Sequence, residues 1–366
     1  SSPTNSYQSM QLTGRRSATM ALVLSSSSLQ RIVPAAAFQA AAAFNQHNRR
    51  NNGLRQNNNN RHHRLKSSTS SRDDPSLTSE ATCYNHLKRS RPIRIKAKAL
   101  HPSEAAATKA TLANDEKLIH FQRHGQGTHN QLYKEWTDRT GIPIDLSETN
   151  PELNPLLLPD IIDAPLTDKG RNQCKEQRVD KSEYLGGVEL IVVSPLVRAL
   201  ETACITFDDH LPSMNEIGDV GVGVRWIAHE GIREELGLLL CNQRRPLKET
   251  QLEFPHVDFS LLALDESDED LYWKKYYERT STNDADGAPQ RESMEDMSHR
   301  AYDFLAEYLC HRPEREIAVV GHSAWLLAMT NAVLEFEEGS EDVNEFGTMF
   351  GQAELRSATL TFTENN

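Results

Sequence analysis

Against a polar background, four short apolar runs stand out, at residues 118–122, 190–193, 317–320 and 358–362. The first three lead directly into Arg123-His124-Gly125, Ser194-Pro195 and Gly321-His322-Ser323. Short apolar runs bounded by glycine or proline predict strands buried on both faces, as in a parallel sheet. Between them the apolar spacing changes to a helical period. Leu196, Leu200, Ala203 and Cys204 share one face of 195–207, with Ser194 placed as N-cap and Pro195 as the first helical residue. Met297, Ala301, Phe304, Leu305 and Tyr308 make 294–309 the clearest amphipathic helix. Thr167 is placed to cap a third, running to about Arg178. This alternation predicts an α/β fold, a three-layer sandwich around a mostly parallel sheet. In such sheets ligands sit at the carboxyl ends of the strands. Residues 208–224 and 265–290 read as long loops, and the acidic run Asp265, Glu266, Asp268, Glu269 and Asp270 reads as a solvated face.

Charge divides the chain of 366 residues. Residues 1–72 contain no Asp or Glu and ten Lys or Arg, while the remainder carries 30 basic and 52 acidic residues and a formal charge of −22. Hydrophobic residues make up 37% and mean hydropathy is −0.61, both low for a chain packed throughout. Residues 1–113 therefore read as a targeting or disordered segment ahead of a domain at 114–366. An arginine-rich, serine-rich, acid-free stretch has the composition of an organelle transit peptide, for plastid or mitochondrion. The short apolar stretch 20–29 also fits the core of a secretory or two-step presequence. The acidic globular part argues against nucleic acid as a partner, which needs a basic footprint. No run of about 18 apolar residues predicts a membrane span. Cys83, Cys174, Cys204, Cys241 and Cys310 are scattered and form no C-x-x-C pair, so neither a disulfide framework nor a zinc site is expected.

Chemistry gathers at the ends of the predicted strands. Arg123 and His124 follow the first, Arg198 sits one turn past the second, and His322 follows the third. Convergence of these at one sheet edge would place two guanidiniums and two imidazoles in a small volume. Clustered cations imply an anion to neutralise them, and a phosphoryl group matches the fork of arginine. One neutral imidazole can then attack phosphorus and form a phosphohistidine. The arginines and the other histidine would stabilise charge on the phosphoryl oxygens. A nearby carboxylic acid would protonate the leaving alkoxide and later activate water. The scheme requires no metal or cofactor, and no H-E-x-x-H spacing is present.

These residues lie in a longer series of motifs. Arg123-His124-Gly125-Gln126-Gly127-Thr128-His129-Asn130 is followed by Asp163-Ala164-Pro165-Leu166-Thr167 with Gly170 and Gln173. Next come Ser194-Pro195-Leu196-Val197-Arg198 with Thr202, then Arg233-Glu234-Glu235-Leu236-Gly237 with Arg244-Arg245, and finally Gly321-His322-Ser323. In content and order they resemble the histidine phosphatase superfamily, with its phosphoglycerate mutase-like fold, over about residues 117–362. The first motif is most similar to the H-G-x-G-x-H-N variant of plant and fungal phosphoglycerate mutase-like proteins. The resemblance implies His124 as nucleophile, Arg123, Arg198 and His322 binding the phosphoryl group with help from Asn130, and Glu234 as proton donor with Glu235 as its rival. It implies a small phosphorylated substrate. Gln126-Gly127 stands where the glycolytic mutases have Glu-Ser, and 241–290 is particular to this chain. Both departures favour hydrolysis over mutase-type transfer, with a non-catalytic phosphate-binding protein as a third reading. His129 is expected to pack rather than react. Arg244 and Arg245 would either grip substrate or pair with acidic loops. Glu354 and Arg356 are expected to pair with each other, and Trp226, Trp273 and Trp325 to pack.

Overall fold

The computed structural model describes residues 91–212, 223–262, 268–279, 291–336 and 346–365. Along them run β1 (Ile93–Leu100), α1 (Pro102–Thr108), β2 (Glu116–Arg123), α2 (Thr128–Thr140), α3 (Asp168–Leu185), β3 (Leu190–Val193), α4 (Val197–Thr206), β4 (Arg225–Ala228) and α5 (Leu247–Glu253). There follow β5 (Val257–Asp258), α6 (Leu271–Arg279), α7 (Met294–Asp303), β6 (Glu316–Gly321), α8 (Ser323–Ala328), β7 (Glu335–Phe336) and β8 (Leu355–Glu364). The strands form one sheet in the order β5-β4-β3-β6-β2-β8-β1-β7. β8 runs against both of its neighbours, β2 and β1. Every other pairing is parallel.

The apolar runs fill the middle of this sheet because both faces there are covered. All of Leu190, Ile191, Val192 and Val193 are buried, and so is every residue of β6. Successive strand side chains point to opposite faces, which sorts them into two cores. Ile119, Phe121, Leu190, Val192, Ile317 and Val319 pack against α7, α8 and the π-helical turn 304–309 through Met297, Ala301, Phe304, Leu305 and Trp325. Ile191, Val193, Ala318 and Val320 pack against α3 and α4 through Leu185, Val197, Ala199, Leu200 and Ala203. Each large side chain so buried contributes about 2 kcal/mol. Helices on both faces of a mostly parallel sheet make the three-layer α/β sandwich that the pattern predicts.

Four expectations are corrected. The boundary at 113/114 is displaced, because β1 lies inside the expected leader and pairs with β8 from Ile93↔Glu364 to Leu100↔Ser357. Ile93, Ile95, Ala97 and Ala99 alternate with Arg94, Lys96 and Lys98, giving a strand with one apolar face and one charged face. Residues 1–90, with the transit-peptide-like composition, lie outside the described residues. α4 begins at Val197, not at Pro195, and its first amide is capped from a distance: Val197 N donates to Asp163 Oδ1 at 2.8 Å. The stretch assigned to loop up to 224 is followed at once by β4, whose four residues were not expected as a strand. The acidic run is not uniformly solvated, since Asp270 is buried and Asp268 accepts from Leu247 N and Lys248 N at the start of α5. Asp265, Glu266 and residues 280–290 lie outside the described residues. Thr167 does cap α3, accepting from Gly170 N. Trp226, Trp273 and Trp325 are buried, and Arg356 Nε meets Glu354 Oε1 at 2.6 Å.

Candidate active site

Backbone pairing draws three strand ends together. Arg123 lies opposite Gly321 in the β2–β6 register, His124 N donates to Gly321 O at 3.0 Å, and Ser194 N donates to Val320 O at 3.0 Å. His124, Arg198 and His322 are thereby buried side by side, with Arg123 half-buried at their edge. The rings of His124 and His322 are 5.1 Å apart, and Arg198 Nε lies 3.4 Å from His124 Nε2.

The surroundings of His124 define its proton. Nδ1 lies 2.6 Å from Gly125 O, and a carbonyl can only accept. Nδ1 therefore carries the hydrogen and Nε2 keeps its lone pair. Burial, then Arg198, His129 and Arg123, hold the pKa of His124 well below 6.5, so the ring is neutral. His322 is held neutral in the same way, by burial and then by Arg198 and His124. Its Nε2 meets Ser194 Oγ at 2.8 Å, while its buried Nδ1 has no partner among the described residues. Arg198 donates to Cys241 O at 2.7 Å and Asn242 Oδ1 at 2.9 Å, and Arg123 donates to Phe350 O at 2.6 Å. Neither guanidinium forms an ion pair among the described residues, and Arg123 Nε is buried without a partner.

The second motif holds the first. A Cβ on Gly125 would lie 2.6 Å from Gly170 O, and one on Gly170 would lie 2.2 Å from Gln126 O. Only glycine at both positions lets the His124 loop rest backbone to backbone on the start of α3. Thr167 N donates to Gln126 O at 2.8 Å, and Gln126 N donates to Gln173 Oε1 at 2.9 Å. Thr202 Oγ1 accepts from Gly125 N at 3.0 Å. Asn130 Oδ1 accepts from Gly127 N at 3.0 Å, so its oxygen shapes the loop at the start of α2. His129 lies with its ring 5.5 Å from that of His124, and its buried Nδ1 has no partner.

The adjacent carboxylates that spacing left open occupy different surroundings. Glu234 reaches the first turn of α8, where Oε1 accepts from Ala324 N at 3.2 Å and Oε2 from Ser323 Oγ at 3.3 Å. Its charge acts on both Arg123 and Arg198. Glu235 is ion-paired with Arg291 instead, and burial pushes its carboxyl up to about 7 against the pull of that arginine. Arg244 donates to Arg245 O and Glu269 O, and Arg245 pairs with Glu253. Arg245 thus pairs with a carboxylate of α5 and not with the acidic loops.

Several residues of the site escaped the sequence reading. Ser194, expected only as a helix cap, orients His322. Asn242 joins Arg198 through Oδ1 and Arg233 through its carbonyl. Asp270 holds Arg233 in a two-pronged pair at 2.8 and 2.7 Å. Glu292, just before α7, and Arg300, in its last turn, carry no motif signal beyond being charged residues of an amphipathic segment.

The fold and the strand-end cluster define an α/β protein that gathers two imidazoles and two guanidiniums at one edge of its sheet. The model of the histidine phosphatase superfamily (branch 1) matches residues 259–348, which include His322. Phosphoglycerate mutase-like protein 1 of Arabidopsis thaliana is 33% identical over 268 residues, covering 67% of this chain and 81% of that protein. A second Arabidopsis thaliana phosphoglycerate mutase-like protein is 31% identical over 265 residues, covering 67% and 84%. Among solved structures, a mycobacterial glucosyl-3-phosphoglycerate phosphatase bound to VO3 is 19% identical and covers 66% of this chain and 90% of its own, with a TM-score of 0.33. The chain belongs to the histidine phosphatase superfamily, with the phosphoglycerate mutase-like proteins among its relatives, and its activity is of the phosphatase or phosphoryl-transfer class. Among the described residues no helix is long and apolar enough to cross a membrane.

Proposed function

We propose that this chain hydrolyses small phosphomonoesters through a phosphohistidine on His124, without a metal. The observation that carries the reading is the state of His124: neutral, with Nδ1–H committed to Gly125 O and the Nε2 lone pair beside Arg198. Nε2 attacks phosphorus and the ester P–O bond breaks. Arg123, Arg198 and His322 hold the phosphoryl oxygens, with the amide of Asn130 at the rim. Glu234 gives its proton to the leaving oxygen. Water then attacks the phosphohistidine, its proton passes to Glu234, and the P–N electron pair returns to Nε2. Gly125 O accepts throughout from the Nδ1–H of the transiently cationic ring. Gln126-Gly127 in place of the mutase Glu-Ser supports transfer to water over return to a second hydroxyl. The acid-free residues 1–72 support delivery to a plastid or mitochondrion.

The test is phosphate release by the purified chain, with chelator present, across monoesters that include 2- and 3-phosphoglycerate. Release that disappears in His124→Ala is the expected result. Interconversion of the phosphoglycerates without release would make the chain a mutase, and no reaction with any ester would leave a binding protein.

A further inference from the structure

We infer that Arg300 and Glu292 are positioning residues for the proton donor Glu234, an inference that rests on the hydrolytic reading above. The loop that follows β4 carries a single 3-10 turn, Glu230–Ile232, and then runs irregularly through Glu234, yet a general acid works only at hydrogen-bond reach of its target. A guanidinium has five N–H donors in a planar fork. All five of Arg300 are used. Nε donates to Glu292 Oε1 at 2.9 Å and Nη2 to Glu292 Oε2 at 2.6 Å. Nη1 donates to Gly231 O at 3.2 Å and Arg233 O at 2.8 Å, and Nη2 reaches Glu234 O at 3.4 Å. Three carbonyls of the acid's own loop thus converge on one buried side chain from α7.

Glu292 closes the other end of the loop. Its Oε2 accepts from Leu236 N at 3.1 Å, and its backbone N donates to Leu236 O at 2.9 Å. Arg291, the residue before it, takes the carboxylate of Glu235. The consecutive residues Arg291 and Glu292 therefore separate two consecutive carboxylates. Glu235 is neutralised at the back of the loop, and Glu234 is left facing α8, Arg123 and Arg198. A residue that only filled the core would not direct three of its five donors to the carbonyls of a six-residue loop and the other two to the carboxylate that closes that loop.

The experiment compares Arg300→Lys and Glu292→Gln with the wild type on p-nitrophenyl phosphate, whose leaving group needs no proton, and on an alkyl phosphate, whose leaving group does. Lysine keeps the charge and loses the fork. The expected result is a roughly 10²-fold fall in kcat on the alkyl ester, within the range of general acid catalysis. KM should change little, and the first-turnover release of p-nitrophenol, which precedes the water step that also uses Glu234, should stay within about threefold, which also reports that the variant has folded. In a Glu234→Gln background, Arg300→Lys should cost nothing further on the alkyl ester. Equal losses in the first turnover on both esters, or additive losses with Glu234→Gln, would overturn the positioning role and leave Arg300 a structural residue. If Arg300→Lys does not fold, Glu292→Gln carries the same comparison. No phosphate release by the wild type from either ester would overturn the hydrolytic reading beneath the inference, a result distinct from either of those.

Discussion

Arg198 and Arg233 are both fully buried guanidiniums joined to the same residue, Asn242, yet they are neutralised in opposite ways. Arg233 sits in the loop of Glu234 and meets Asp270 through both terminal nitrogens, with Glu230 alongside. Burial opposes its charge, but the two carboxylates outweigh burial and raise its pKa above the usual arginine value. Arg198 sits at the strand ends with only a carbonyl, an amide oxygen and a neutral imidazole as partners, and burial lowers its pKa. A buried cation without a carboxylate is held against its own solvation preference. In the proposed reaction the phosphoryl group is the anion that offsets it. The same contrast separates Arg123 from Arg291 and Arg300: Arg123 donates to a carbonyl, and the two loop arginines are paired with carboxylates.

This comparison is broken most directly by removing one arginine of each kind. Arg198→Met should lower kcat/KM by roughly 10³-fold, as loss of a preorganised transition-state contact does, while Tm holds or rises because an unpaired buried charge is gone. Arg233→Met should lower stability by about 3–5 kcal/mol, because Asp270 is left buried with two backbone amides but without its cation. Activity assays with denaturant titrations of both variants read the two effects. A large stability loss in Arg198→Met with activity retained would reverse the assignment.

Acid sensitivity sharpens the same point. His124, His129 and His322 are held well below pKa 6.5 by burial and by Arg198. On unfolding each returns to its ordinary value and takes up a proton, so below pH 6.5 the unfolded chain binds more protons and stability falls with acidification. Above that pH the effect vanishes. Each histidine contributes at most about 1.4 kcal/mol per pH unit. Unfolding free energies measured across this window should show a shallower slope in His322→Asn, by about one such contribution. An unchanged slope would mean that His322 is already charged in the folded chain. The smallest expected effect is at the motif that holds the His124 loop. Thr167→Ala removes the α3 cap and should cost about 1 kcal/mol, with a loss of activity that tracks the loosened loop.

Legibility of the fold followed burial on two faces. β2, β3 and β6 could be read because both sides of the sheet are covered there, which leaves contiguous apolar letters. β1 could not, because one face carries Arg94, Lys96 and Lys98 and so blends into the basic leader, although its alternation is regular. β4 was hidden by the loop before it, and β5 and β7 are two residues each. The pocket was legible because its residues stand immediately past strand ends, where sequence position and spatial position agree. The supporting shell was not. Asp163 caps α4 from 34 residues away, and Arg300 grips a loop 66 to 69 residues before it. Such partners are set by tertiary packing, and single-sequence periodicity does not report it. Glu234 and Glu235 illustrate the limit: adjacent and chemically identical, they are told apart only by Arg291 and the first turn of α8.

The central claim is that the Nε2 lone pair of His124 becomes bonded to phosphorus. Its most direct test is to mix the chain with p-nitrophenyl phosphate, quench in alkali within the first turnovers, and locate any added phosphoryl group by mass spectrometry of the peptides. The account predicts one acid-labile, alkali-stable phosphoryl group on His124, absent in His124→Ala. Turnover with no phosphorylated enzyme, or with the group on another residue, would contradict it.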